Sequence, residues 1–321
     1  MNLSNSSNAT ASILKETTAS KTRKRKADDD LKLDVVPSKR DLFLSTYRRR
    51  QDWSLPESII YYMAKNPKNA EVYLKLVQSC KYFFVMNPII VAKNLKFNYK
   101  DQEWEASSKN DRKCIDLKNN STKFWITDVF DNCLYKATPN LASIIPHLYQ
   151  VDVKKLCLTS DVISFTDFLF LSSNVEDLIV RNVKITNIDD TPVSLEKLVE
   201  VLPNLKNFNF HDIPDSLSVT SNTVKELLKL PNFKKLNKFE ISGIKESFDV
   251  DTFFAHIKEV KHLKVYLSFN VSISEAFKTR LEIIVDEILD TQNHDYEPPL
   301  IYFSGLDFFK WLTMVFLYQD D

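Results

Sequence analysis

The chain has 321 residues, of which 44% are hydrophobic and 27% are charged, and its formal net charge is +0 at pH 7. This composition is typical of an ordinary soluble protein with one large domain or two smaller ones. Glycine occurs only at Gly243 and Gly305, which argues against P-loop and Rossmann folds because both bind phosphate through glycine-rich turns.

The charge is unevenly distributed along the chain. Residues 1–50 contain 12 Lys/Arg and 6 Asp/Glu, a net charge of +6, so the remainder carries −6. An acidic remainder argues against a globular domain that binds nucleic acid through a basic surface. Residues 1–40 are polar without apolar periodicity and are predicted to form a disordered basic tail.

A basic cluster within this tail predicts either a nuclear localisation signal or a solvated run of charges. The cluster comprises Lys21, Arg23, Lys24, Arg25 and Lys26, and a second basic pair, Lys39-Arg40, follows Pro37. The sequence alone does not distinguish a nuclear localisation signal from a solvated run of charges.

Two amphipathic helices are predicted between Trp53 and Phe84. The first begins at Leu55-Pro56-Glu57, since Pro and an acidic residue suit a helix N-terminus, and Pro67 ends it. The apolar residues with helical spacing are Ile59, Ile60 and Met63 in the first helix, and Val72, Leu76, Val77 and Cys80 in the second.

This order resembles an F-box, the helical module that docks a substrate receptor onto a Skp-type adaptor. The matching positions are Leu55-Pro56, Met63, Pro67, Cys80-Lys81 and the aromatic Phe83 or Phe84. The turn Asn66–Asn69 is one residue longer than the family pattern, and Phe stands where Trp is common. The alternative is an ordinary helical hairpin with a chance Leu-Pro pair.

The resemblance implies a non-catalytic substrate-recognition subunit of an SCF-type ubiquitin ligase. Its partners would be a Skp-type adaptor, through it a cullin, and a protein target. The implied adaptor-binding residues are Leu55, Pro56, Ile59, Ile60, Met63, Val72, Leu76, Val77 and Cys80.

Short strand-like bursts alternate with helical stretches from residue 93 onward. The bursts are Leu95–Phe97, Phe124–Ile126, Leu156–Leu158, Leu178–Val180, Phe208–Phe210, Phe239–Ile241 and Leu263–Val265, and the helical stretches are Phe165–Leu171, Leu195–Leu202, Val224–Leu230, Thr252–Val260 and Ala276–Leu289. From Leu156 the steps between bursts are 22, 30, 31 and 24 residues, which is typical of leucine-rich repeats. A generic α/β domain built from βα units would show the same alternation.

The overall prediction is an α+β or α/β protein in three parts. These are a disordered tail (1–40), an F-box-like all-α module (41–92), and an irregular leucine-rich-repeat-like solenoid (93–321). The predicted repeats lack the regular Asn or Cys that normally closes the turn after each strand of a leucine-rich repeat. Residues 300–318 are predicted to form a strand and helix that cap the solenoid, since polar interruptions argue against a membrane span; an interfacial membrane helix is the alternative.

Target-binding residues are expected beside the strand anchors, because solvent-facing positions alternate with core positions along a strand. The candidates are Asn207, Asn209, Glu240, Lys264 and Tyr266.

The five histidines and four cysteines form no recognisable catalytic or metal-binding pattern. No H-E-x-x-H, G-x-S-x-G or C-x-x-C motif occurs, so we predict no enzyme, no metal and no cofactor. The four cysteines are predicted to be reduced thiols in a cytoplasmic or nuclear protein. Two other functions stay open: a leucine-rich scaffold without a ligase, and a nuclear protein whose tail contacts nucleic acid.

Overall fold

The computed structural model describes residue 42 and the segments 53–108, 111–114, 122–132, 141–213 and 218–319, with the backbone alone at 111–114. The chain divides into two compact units, Met1–Asp52 and Trp53–Asp321. The predicted disordered tail and the nuclear localisation candidate lie outside the described residues. All helices and strands given below belong to the second unit.

Three helices precede the sheet: α1 (Glu57–Lys65), α2 (Ala70–Ser79) and α3 (Lys81–Met86). The side chain of Asn69 begins α2 by accepting a hydrogen bond from the backbone N–H of Val72 over 2.9 Å, as expected of an N-cap residue. Both predicted helices are therefore confirmed, and the structure adds a short third helix.

The described residues form thirteen strands, of which eleven make one open sheet. The strands are β1 (Ile89–Asn98), β2 (Glu103–Ser108), β3 (Asp111–Cys114), β4 (Lys123–Asp131), β5 (Leu148–Val151), β6 (Lys155–Thr159), β7 (Val162–Ser164), β8 (Asp177–Arg181), β9 (Lys184–Thr186), β10 (Asn207–His211), β11 (Lys238–Ile244), β12 (Lys264–Phe269) and β13 (Leu300–Tyr302). The sheet order is β13-β12-β11-β10-β8-β6-β4-β1-β2-β3, with β5 beside the first half of β4, while β7 and β9 pair separately.

Neighbours from β13 to β1 are parallel, and β1, β2 and β3 form an antiparallel meander. Strands β6, β8, β10, β11, β12 and β13 follow one another in space as they do along the chain. The mixed α/β fold with a parallel sheet is thus confirmed. The leucine-rich-repeat interpretation, and the domain boundary at residue 92, stay predictions.

Most connecting helices lie close to their predicted positions. They are α4 (Leu141–Ile144), α5 (Phe165–Ser172), α6 (Leu195–Glu200), α7 (Thr223–Leu227), α8 (Val250–Glu259), α9 (Glu275–Asp290) and α10 (Phe308–Gln319), with 3-10 turns at Ile145–His147 and Phe233–Lys235. The predicted strand and helix over residues 300–318 are present as β13 and α10.

One side of the parallel sheet carries the hydrophobic core. Its strand anchors are Cα partners across five neighbouring strands, namely Leu156, Leu178, Phe208, Phe239 and Val265, and all are buried. In β12 this row is occupied by Val265, the last residue of the predicted burst Leu263–Val265, whereas the bursts of the other four strands align at their first residues. Leu263 is also buried, in the turn before the strand, so apolar pattern alone could not distinguish the two.

Asn132 closes the turn after β4. Its side chain is buried, and its Oδ1 accepts a hydrogen bond from the backbone N–H of Thr159 over 2.8 Å. Its own N–H donates to the carbonyl of Cys157 over 3.1 Å. The repeats have no regular turn-closing Asn in the sequence, but Asn132 makes such hydrogen bonds at the turn after β4.

Candidate functional site

The nine predicted adaptor-binding residues fall into two groups. Ile60 is buried in a small core with Ala64 and Phe83, and Met63, Leu76, Val77 and Cys80 pack partly buried against it. Leu55, Pro56, Ile59 and Val72 are exposed instead. The first group holds the three helices together, and the second leaves apolar surface in solvent.

The exposed group is unusual for its apolar character. Leu55 is 46% exposed, Ile59 45% and Val72 37%, and the neighbouring Tyr61 and Tyr62 are exposed as well. Single exposed apolar residues are common, but five on one small module make α1 and α2 a candidate interaction surface.

Tyr73 anchors the helical module to the sheet. Its ring packs at 6.4 Å from that of Trp125 in β4, measured between ring centres. Its hydroxyl donates to the carbonyl of Asn87 over 2.6 Å and accepts from the N–H of Ile89 over 3.0 Å. The module is therefore held against β1 and β4.

The sheet side opposite the helix-covered core is called the open strand face here. At the first position of each strand it carries Lys155, Asp177, Asn207, Lys238 and Lys264, and at the third position Cys157, Ile179, Asn209, Glu240 and Tyr266. All five predicted target-binding residues lie within these two rows. The structure thus brings them together on one surface.

Hydrogen bonds order the polar side chains of this face. The amide of Asn207 donates to Asp177, and the amide of Asn209 donates to Glu240. Lys238 makes an ion pair with Glu240 at 2.7 Å. Between these groups lies a shallow depression of about 240 Å³ with Ile179 among its lining residues.

Tyr318, near the end of α10, covers the open strand face over β11 and β12. Its hydroxyl donates to Glu240 Oε1 over 3.3 Å, and Lys264 Nζ lies 4.9 Å from the centre of its ring. Burial raises the pKa of Tyr318 well above its ordinary value, and the charge of Glu240 adds to the effect. Two of the predicted target-binding residues are therefore partly shielded by the chain itself.

The helical module covers the same face of the sheet at the other end. Trp125 points away from the main core, since its neighbours Phe124 and Ile126 belong to that core while Trp125 packs with Tyr73. The exposed part of the open strand face thus lies between α1–α3 and α10, at Lys155 and on β8 and β10, while Cys157 of β6 is buried.

Within the described segments, no cluster of three or more His, Cys, Asp or Glu could hold a metal ion. Burial lowers the pKa of His256, whose Nε2 has no hydrogen-bond partner. That the protein is not an enzyme stays a prediction.

The prediction that all four cysteines are reduced thiols is wrong. Cys80 is not in a disulfide bond, but Cys157 on the open strand face is. In the described part of the chain, no helix has the length and apolar character needed to cross a bilayer. The cellular compartment stays a prediction.

Compared with known proteins, this chain matches no protein-family model, no curated protein and no solved structure.

Sequence reasoning missed three residues that define the site: Tyr73, Trp125 and Tyr318. A signal for Tyr73 existed, because Ala70, Tyr73 and Val77 form a second apolar stripe at helical spacing on α2. Nothing in the sequence indicates the contact between Tyr318 and Glu240, because the two residues are 78 positions apart.

Proposed function

We propose that this protein is a substrate receptor of an SCF-type ubiquitin ligase and has no catalytic role of its own. The helical module α1–α3 binds a Skp-type adaptor, which links it to a cullin. The open strand face binds the protein target. The F-box resemblance of residues 53–84 and the apolar residues that α1 and α2 leave exposed support this function.

One observation carries the docking half of the proposal. The module keeps Leu55, Ile59 and Val72 in solvent while Tyr73 fixes its other side to the sheet. Burying such a side chain contributes roughly 1.5–3 kcal/mol before binding costs are subtracted. A rigidly held apolar surface of this kind fits a helical partner groove.

The test is co-expression of the full chain with a Skp-type adaptor, followed by co-purification and measurement of the dissociation constant. We expect a stable complex. The double change Leu55→Ala, Pro56→Ala and the single change Ile59→Asp should each weaken it by about tenfold or more, which corresponds to roughly 1.4 kcal/mol.

The matched control is Val271→Asp, an equally polar change at an apolar residue that is 77% exposed outside the module. It should leave adaptor binding unchanged. A folded, monodisperse wild-type protein that binds no adaptor would refute the ligase proposal.

The alternative is a protein-binding scaffold without a ligase, in which α1–α3 simply cover one end of the sheet. The open strand face supports the scaffold alternative as well, because a protein can bind there whether or not α1–α3 bind an adaptor. Absence of adaptor binding together with target binding through the face would establish the scaffold.

A further inference from the structure

The exposed part of the open strand face carries two cations without an ion-pair partner among the described residues, Lys155 on β6 and Arg181 on β8. Lys155 stands opposite Asp177 in the strand register. Asp177, however, accepts its hydrogen bond from the amide of Asn207. His211 on β10 is the register partner of Arg181 and is exposed.

The carboxylates of this face are already engaged within the protein. Asp177 is bound by Asn207, and Glu240 is bound by Asn209, Lys238 and Tyr318. Over β6, β8 and β10 the face carries the cations Lys155 and Arg181 against one carboxylate, Asp177, which is a formal net charge of +1. That charge distribution is complementary to an acidic ligand.

The spacing of the two cations fits one backbone conformation of such a ligand. Arg181 is four residues beyond the register partner of Lys155, about 13 Å along the strand direction at ~3.3 Å per residue. Two side chains four residues apart in an extended peptide span the same distance, whereas in a helix they lie only about 6 Å apart. Along the strand direction Ile179 lies midway between the two cations. Its register neighbours in the described strands are Cys157 and Asn209, not the wide apolar stripe that a bound helix would need.

We propose that the open strand face binds an extended segment of the target that carries two carboxylate side chains four residues apart, with an apolar residue midway between them. One carboxylate pairs with the Lys155 ammonium, and the other pairs with the Arg181 guanidinium, which can donate two hydrogen bonds to it. The apolar residue contacts Ile179. This inference names the target class for the proposed substrate receptor and rests on that function.

The experiment is selection of a random peptide library against the full chain, without adaptor, followed by affinity measurement on the enriched peptides. We expect enrichment of the pattern acidic-x-apolar-x-acidic. The double variant Lys155→Glu, Arg181→Glu should bind these peptides at least about tenfold more weakly, because two charge-assisted contacts become repulsive.

The matched control is Lys184→Glu, Lys235→Glu, which makes the same change in net charge at two exposed lysines outside the open strand face. Its peptide affinity should equal that of the wild type. Absence of enrichment, enrichment without an acidic preference, or equal losses in the two double variants would overturn the inference.

Adaptor co-purification of the same variants separates this inference from the proposed function. Both double variants should still bind the adaptor, since α1–α3 are unchanged. Adaptor binding without acidic-peptide binding refutes the inference alone. Acidic-peptide binding without adaptor binding refutes the ligase alone.

Discussion

The hydroxyl of Tyr73 accepts a hydrogen bond from the backbone N–H of Ile89 over 3.0 Å, and this contact joins α2 to the first residue of β1. The same hydroxyl donates to the carbonyl of Asn87. Burial raises the pKa of Tyr73 above its ordinary value. One side chain thus satisfies two backbone groups where the helical module meets the sheet.

Replacing Tyr73 with Phe should therefore destabilise the protein by about 1–3 kcal/mol, because two backbone groups lose a hydrogen-bond partner. Urea denaturation of the full chain measures the change. The control Tyr62→Phe removes an equivalent hydroxyl from an exposed ring on α1 and should stay within about 0.5 kcal/mol of the wild type. Equal effects of the two changes would contradict the role given to Tyr73.

Replacing Asn132 with Ala should also destabilise the sheet, by about 1–3 kcal/mol, because the N–H of Thr159 loses the acceptor that the buried amide provides. The matched control is Asn222→Ala at an exposed helix terminus where the side chain makes no capping bond. Hydrogen exchange at the Thr159 amide gives a second readout, and unchanged protection would rule out the assigned bond.

Gly243 and Gly305 offer an internal comparison of backbone strain. Both have positive φ, +81° and +101°, so alanine is strained at either position by about 1–2 kcal/mol. A Cβ at Gly243 would lie 3.2 Å from the backbone oxygen of Asp212, whereas a Cβ at Gly305 meets nothing within 4 Å. We expect Gly243→Ala to lower the free energy of unfolding more than Gly305→Ala. The reverse order in thermal or urea unfolding would be inconsistent with this packing.

The stability of the fold should depend on His256 below neutral pH. Burial lowers the folded-state pKa of His256, with a smaller opposing effect of Glu259 and a lowering effect of Lys234. The unfolded chain, with an ordinary pKa near 6.5, binds a proton more readily than the folded chain. The stabilising contribution is therefore complete above about pH 6.5 and is lost as the pH falls through the lowered folded-state value.

Unfolding free energies measured between neutral and mildly acidic pH should thus decline less steeply in His256→Phe than in the wild type. The ring lies against Phe233, 6.2 Å between ring centres, so an aromatic replacement preserves packing. The control His262→Gln, at an exposed position, should keep the wild-type slope. An unchanged slope in His256→Phe would exclude this proton linkage.

The spacing of apolar residues was sufficient to predict a helix or a strand where a single periodicity dominated the segment. The helical spacing of Val72, Leu76 and Val77 predicted α2, and the bursts at Leu156, Leu178, Phe208 and Phe239 predicted strands that are neighbours in the sheet. The five polar candidates around Asn207 and Glu240 were placed on one surface by strand alternation alone. The burst Leu263–Val265 contains two buried residues, and the pattern did not show which of them aligns with the first residues of the other bursts.

Local periodicity was enough to predict the alternation of strands and helices and the apolar residues of α1 and α2. The scarcity of glycine and of catalytic motifs is visible in the composition and the letters of the chain. The folded chain alone revealed that Tyr73 joins the module to the sheet, that Tyr318 covers Glu240, and that Lys155 and Arg181 lack ion-pair partners among the described residues. Such contacts join positions far apart in the chain. They follow from strand order and packing, which no local periodicity encodes.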